Sequence, residues 1–112
     1  MATLFSRIIA REIPADIVYE DDLCLAFRDI NPQAPTHVLL IPKRELPRLA
    51  DAGEDARDLL GHLMLAAGTV ARQLGVEDAF RLVVNNGAGA GQSVFHLHLH
   101  ILAGRPFHWP PG

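Results

Sequence analysis

A chain of 112 residues with 49% hydrophobic and 21% charged residues has the composition of an ordinary globular protein, which excludes a disordered one. Its length suits a single domain over residues 1–112 with a real core, yet is short enough that pairing with a second copy would help it. A net charge of −3 with a pI near 6.0 gives no general pull toward nucleic acid or anionic membrane. One cysteine, Cys24, excludes an intrachain disulfide framework and agrees with a reducing compartment.

The opening stretch has no continuous apolar run of signal or membrane length, so a cytoplasmic address is expected. Thr3 suits the cap of a short helix carrying Leu4, Phe5, Ile8 and Ile9, which Pro14 ends. From Asp16 to Asp29 the pattern is a hairpin: Ile17 to Tyr19, a turn at Glu20 to Asp22, then Leu23 to Arg28. Asp29, at the strand's end, is a residue type that caps turns. The prolines of Asn31-Pro32-Gln33-Ala34-Pro35 make a rigid connection. His37 to Pro42 then reads as a strand whose near-continuous hydrophobicity implies cover on both faces.

The spacing predicts one long helix region over 50–75. Asp51, Glu54 and Asp55 lie near its start, Leu59, Leu60, Leu63, Met64, Ala67, Val70, Ala71 and Leu74 recur at three- and four-residue steps, and Gly75 suits a left-handed stop. His62, inside it, reads as structural or as a subunit contact. Phe80 to Asn85 is a further strand. The following loop places Gly87, Gly89 and Gly91 at alternate positions, either as a flexible hairpin connection or as backbone able to approach an anion closely. It is not a Walker loop, for no Gly-Lys-Ser/Thr follows, nor a dinucleotide fingerprint, because a strand and not a helix comes next.

From Gly91 to Leu102 the chain alternates. As a strand it lines one face with His96, His98 and His100 and the other with Phe95, Leu97, Leu99 and Ile101. Neighbouring imidazoles would then sit about 6.6 Å apart. A single histidine on a half-buried strand is ordinarily structural, but burying three titratable rings for packing alone is costly where Val or Ile would serve. Metal binding is a second reading, although the flanks lack the supporting carboxylates and cysteines. Interleaved leucines exclude a polyhistidine tag. The third reading is a phosphate that meets one ring as nucleophile and another as acid or hydrogen-bond donor. The tail, 103–112, is neither helix nor central strand, and its Phe107 and Trp109 call for something to pack on.

His96-Leu97-His98-Leu99-His100-Ile101-Leu102 matches at every position the motif of the histidine triad superfamily of nucleotide hydrolases and transferases. Asn85, the loop from Gly87 to Ser93, the stretch from Leu25 to His37, Leu60 to Met64, and the ending His108-Trp109-Pro110-Pro111-Gly112 resemble the Hint branch, the purine nucleoside phosphoramidases. The likeness runs from about Thr3 to Gly112. Patterning and resemblance together imply an α+β fold: about five mostly antiparallel strands, one long and one short helix. The resemblance adds a two-fold homodimer with the tail near the interface and a purine nucleotide (AMP or GMP type) as substrate or product.

The activity so implied is hydrolysis of a nucleoside phosphoramidate without metal or cofactor. His98 would attack the α-phosphorus, expel an amine and form a nucleotidyl-histidine that water hydrolyses. His96 and His37 would fix its tautomer and position, and His100 with Ser93 would contact the phosphate or help the leaving group. Asp29 would receive the ribose hydroxyls, Ile30 and Phe27 would wall the base, Gly91 and Gln92 would serve the phosphate side, and Asn85 would bind the phosphate side or brace the loop. His100 separates this chain from related transferases, which carry Gln there, and the Trp-Pro-Pro-Gly ending separates it from the dinucleoside polyphosphate hydrolases. Many relatives hold a structural zinc through Cys-x-x-Cys near the start; here those positions read Thr3 and Ser6, so none is expected. A nucleotide-binding interaction protein with little turnover and a zinc-binding histidine-cluster protein are the rival classes.

Overall fold

The computed structural model describes residues 2–112. The Thr3 hydroxyl accepts the Ser6 N–H at 3.1 Å and the Ser6 hydroxyl accepts the Thr3 N–H at 2.7 Å, a reciprocal cap that starts helix α1 (Leu4–Ile9). Strands β1 (Ile17–Glu20) and β2 (Cys24–Arg28) form the predicted hairpin, with a register irregularity between Ile17 and Tyr19. β3 (Thr36–Pro42), helix α2 (Arg57–Gln73), β4 (Phe80–Val83) and β5 (Leu99–Ala103) follow. All pairings are antiparallel, and the sheet order is β1-β2-β3-β5-β4.

Strand alternation sorts the core into two layers. Cys24, Ala26, Val38, Leu40, Leu99 and Ile101 face α2, where Leu63, Ala66, Ala67 and Val70 pack against them. Leu25, Phe27, Leu39 and Ile41 face the other way and are covered by Phe5 and Ile8 of α1. Each such aliphatic or aromatic side chain, when fully buried, contributes about 1.5–3 kcal/mol. Both faces of β3 are therefore covered, and α1, although short, is the lid that makes the second face an interior.

Three boundaries differ from the periodicity. Two 3-10 turns, Leu49–Asp51 and Glu54–Ala56, precede the long helix, because Gly53 between them is extended (φ −101°, ψ −174°). The helix proper starts at Arg57, so the acidic residues lie in the turns before it. Met64 is 59% and Leu65 76% exposed, so Met64 belongs to the outer face of α2 and not to the core stripe. Gly75 does take the left-handed stop, with φ +73°.

The third difference concerns the histidines: only Leu99–Ala103 is strand, and His96 and His98 lie in the chain leading to it. β3 pairs with β5 from Leu40 opposite Leu99, and continuing that register would bring Pro42 opposite Leu97. Pro42 has no N–H, its carbonyl accepts from His96 Nε2 at 2.7 Å, and the Leu97 N–H goes to Leu46 O at 2.7 Å. The ladder stops there. Alternation of direction persists regardless: Leu97, Leu99 and Ile101 lie in the α2-side core. Among the described residues no helix is long and apolar enough to cross a membrane.

Candidate active site

On the α1 side of the sheet, His37 of β3 and His100 of β5 meet, His37 Nε2 to His100 Nδ1 at 2.9 Å. The proton positions follow from one backbone group. The Gln33 N–H donates to His37 Nδ1 at 3.0 Å, so that nitrogen carries a lone pair and the His37 proton sits on Nε2. His37 therefore donates to His100 Nδ1, which leaves the His100 proton on Nε2. That Nε2 is the one buried side-chain polar atom without a protein partner among the described residues. An N–H left so in an apolar wall costs about 1–3 kcal/mol unless a ligand receives it. Burial lowers the His37 pKa against the pull of Asp29. Burial, then the neighbouring His98 and His37, push His100 down to about 4. Both rings are neutral near pH 7.

His98 has the complementary arrangement. Its Nδ1–H donates to the His96 carbonyl at 2.8 Å, leaving Nε2 with the lone pair. The ring stands edge-on to Phe5 and to His100, each at 5.0 Å between centroids. His96 itself is 1% exposed and donates Nε2–H to Pro42 O; it reaches His98 through its carbonyl, not its ring.

His98, His100, Asp29 and Ser93 line one cavity of about 260 Å³. Apart from Arg28, its remaining walls are apolar: Phe27 and Leu39 from the sheet, Val94, and Leu4, Phe5, Ile8, Ile13, Pro14 and Ala15 from α1 and the segment after it. From sequence Leu4, Phe5 and Ile8 are a helix face and Pro14 its stop, Ile13 and Ala15 carry no signal, and nothing in the spacing marks any of them as a ligand wall. Ile30 also borders the cavity, but at 100% exposure it is a rim and not an inner wall. Asp29 Oδ1 accepts the Asn31 N–H at 2.8 Å as a turn cap, and Oδ2 borders the histidines, 3.5 Å from His37 Nε2.

Asn85, Gly91 and Gln92 are not among the residues that line this cavity. The glycine loop is folded on itself: the N–H groups of Ala90 and Gln92 donate to Gly87 O, and that of Gly91 to Ala88 O. Gly87 and Gly91 hold φ of +91° and +94°, conformations that need glycine. Gln92 is buried, accepts the Gly87 N–H at 2.8 Å, and donates to Pro47 O at 2.8 Å and Val94 O at 3.0 Å. It is a brace that sets where Ser93 and Val94 emerge. His62 lies apart, its Nε2 on Asp21 Oδ2 at 2.7 Å.

A five-stranded antiparallel sheet with a helix on each face, carrying a donor imidazole and an acceptor imidazole on one apolar cavity, defines a class of small histidine-site α+β domains. A model of the HIT domain matches residues 10–107. The chain belongs to the HIT family. It is 70% identical over 110 residues to an uncharacterized HIT-like protein of Synechocystis, covering 98% of this chain and 96% of that one. It is 54% identical over 112 residues to a 14 kDa zinc-binding protein of Zea mays, with 98% and 88% covered. Among solved structures, the HIT family hydrolase from Legionella pneumophila superposes with a TM-score of 0.96 at 46% identity, covering 99% of this chain and 100% of that chain.

The residues here do not fit the zinc site that relatives build near the start. Thr3 and Ser6 have no thiolates, and their hydroxyls are engaged in the cap of α1. Two other groups bring three ligand-type atoms together, Asp21 with Cys24 and His62, and Asp29 with His37 and His100. In the first, Asp21 already accepts from Leu23 N–H, Cys24 N–H, Tyr19 OH and His62, and burial beside Asp21 pushes the Cys24 thiol up to about 12. In the second, the facing nitrogens of His37 and His100 are bonded to each other.

Proposed function

We propose that the chain hydrolyses purine nucleoside phosphoramidates through a nucleotidyl-histidine on His98, as the Hint branch does. The observation that carries the reading is the pairing of opposite tautomers on one cavity: a lone pair on His98 Nε2 and an unpaired N–H on His100 Nε2, beside Asp29. His98 Nε2 forms a bond to the α-phosphorus and the P–N bond breaks, its electron pair leaving with the amine, which takes a proton from water. A second water, giving a proton to the hydroxide left by the first, attacks the phosphorus, the bond to His98 breaks, and the electron pair returns to Nε2. His100 Nε2–H and the Ser93 hydroxyl hydrogen-bond the charge that develops on oxygen or nitrogen in both steps. His100 keeps its proton, since giving it up from a neutral ring would leave an imidazolate. Asp29 receives the ribose hydroxyls, and the apolar slot between Phe27, Ile8 and Ala15 takes the base.

The active form in this reading is a homodimer. The exposed Met64 and Leu65 on α2 and the free edge of β4 are the surfaces offered to a second copy. The tail, held where Arg81 donates to His108 O at 2.8 Å, carries Trp109 outward at 84% exposure toward the partner. The test is AMP release from an adenosine phosphoramidate. Wild type is expected to turn over, and His98→Ala to lose at least about a thousandfold in kcat, the scale of removing a covalent nucleophile. AMP binding with no turnover by wild type would leave a nucleotide-binding protein and remove the enzyme.

A further inference from the structure

The proton arrangement in the cavity depends on a peptide that lies outside it. Gln33 sits in the connection between β2 and β3, and its N–H is what obliges His37 to carry its proton on Nε2. The carbonyl of the same residue is held by the segment leaving β5. Arg105 Nε donates to Gln33 O at 3.0 Å, its NH1 to Pro106 O at 3.0 Å, and its guanidinium lies over the Phe107 ring at 4.3 Å from the centroid. One residue earlier, Gly104 (φ +96°) lies so close to Pro35 that a Cβ there would come within 2.8 Å of the proline ring. The connection is thus clamped at two points by consecutive residues of the tail. Arg105 thus holds the residue whose N–H faces His37, and from that N–H the donors run through His37 to His100, whose Nε2–H is the unpaired one in the cavity.

We propose that Arg105 is a positioning residue: by holding Gln33 at its carbonyl it keeps that residue's N–H on His37 Nδ1, which fixes the tautomer of His37 and through it keeps the His100 proton on Nε2, facing the substrate. The alternative arrangement, with the His37 proton on Nδ1, would set two N–H groups against each other at Gln33 and turn the His100 proton away from the cavity. The Gln33 carbonyl and N–H lie in adjacent peptide groups joined at one Cα, so Arg105 acts on the N–H by fixing where the residue sits. The inference rests on the proposed function for its catalytic meaning but not for its physical content, which is a property of the free protein.

The experiment is long-range 1H–15N correlation on the full chain, which distinguishes imidazole tautomers, with phosphoramidate kinetics read separately. Wild-type His100 is expected in a single Nε2–H form. Arg105→Ala is expected to give His100 a mixed tautomer signature and to lower kcat about three- to tenfold with little change in KM, the scale of one charge-assisted hydrogen bond near the surface. Arg105→Lys, which keeps a donor, restores most of both. Gln33→Pro, which deletes the N–H itself without touching Arg105, is expected to produce the same mixed signature, and it decides the matter should Arg105→Ala fail to fold. An Nδ1–H form of His100 in wild type, or a pure Nε2–H form in both variants, would overturn the proposal. A tautomer shift with unchanged kcat would keep the link and refute instead the donor role given to His100 above.

Discussion

Lowering the pH from about 7.5 to about 5 tests the neutral, buried state of His100 without any substrate. In the unfolded chain this ring takes up a proton near its ordinary value of 6.5, whereas in the fold burial, reinforced by His98 and His37, holds it down to about 4. Between those values the unfolded state binds more protons, so stability is fully present above about 6.5 and is lost as the pH falls toward 4. At pH 5 the protonation factor is about 30 in favour of the unfolded state, or about 2 kcal/mol, which is a large part of a small domain's net stability. Burial shifts His37 and His96 in the same direction, so the wild-type loss is at least this size. The lowered carboxyls of Glu20, Asp21 and Asp51 act on the same side, but mainly below the unfolded carboxylate range and hence below this window. Urea unfolding at fixed protein concentration and pH of about 7.5, 6 and 5 measures the slope. His100→Gln, whose amide oxygen can still accept the His37 N–H, is expected to lose about 2 kcal/mol less than wild type over the window. Parallel slopes for the two proteins, or a flat wild-type profile, would refute the buried neutral ring.

Gln92→Ala removes three buried hydrogen bonds at once and is expected to lower stability by about 2–4 kcal/mol in urea unfolding. A raised KM at unchanged stability would instead make Gln92 a direct substrate contact. Asp29→Asn keeps the turn-capping oxygen but loses the charge that faces the cavity, so KM for a ribonucleoside phosphoramidate is expected to rise about tenfold, in line with one charged hydrogen bond. The same variant is expected to discriminate less than wild type between ribose and 2′-deoxyribose substrates, and equal discrimination would separate Asp29 from the ribose.

The fold was largely legible because its signals are local. Alternation in β2 and β3, the step pattern of α2 and the cap at Thr3 each follow from a few neighbouring residues. The failures are non-local. That residues 93–98 leave the ladder depends on Pro42, more than fifty positions away in sequence, whose missing N–H and occupied carbonyl cannot support another strand residue. That Gln92 is a brace depends on Pro47 O and on the loop's own closure at Gly87. The largest omission was the cavity wall from α1: Leu4, Phe5 and Ile8 read as an ordinary apolar helix face, and only the sheet's second face shows that they roof a space.

The three imidazoles of the motif show why spacing identifies a site without dividing its labour. They share a residue type, a two-residue interval and a side of the sheet, yet each is given a different task by whatever meets its other nitrogen. A carbonyl fixes His96 in the interior at Pro42. A carbonyl two residues back holds the proton of His98 on Nδ1 and so frees Nε2 as a lone pair. An imidazole, itself set by a backbone N–H, occupies Nδ1 of His100 and so presents Nε2–H. His98 and His100 thus stand side by side with opposite tautomers, which cannot be exchanged without breaking a main-chain hydrogen bond. The chemistry of the cavity is therefore fixed by the backbone around it, at positions such as Pro42, Gln33 and His96 O that a motif of side chains does not record.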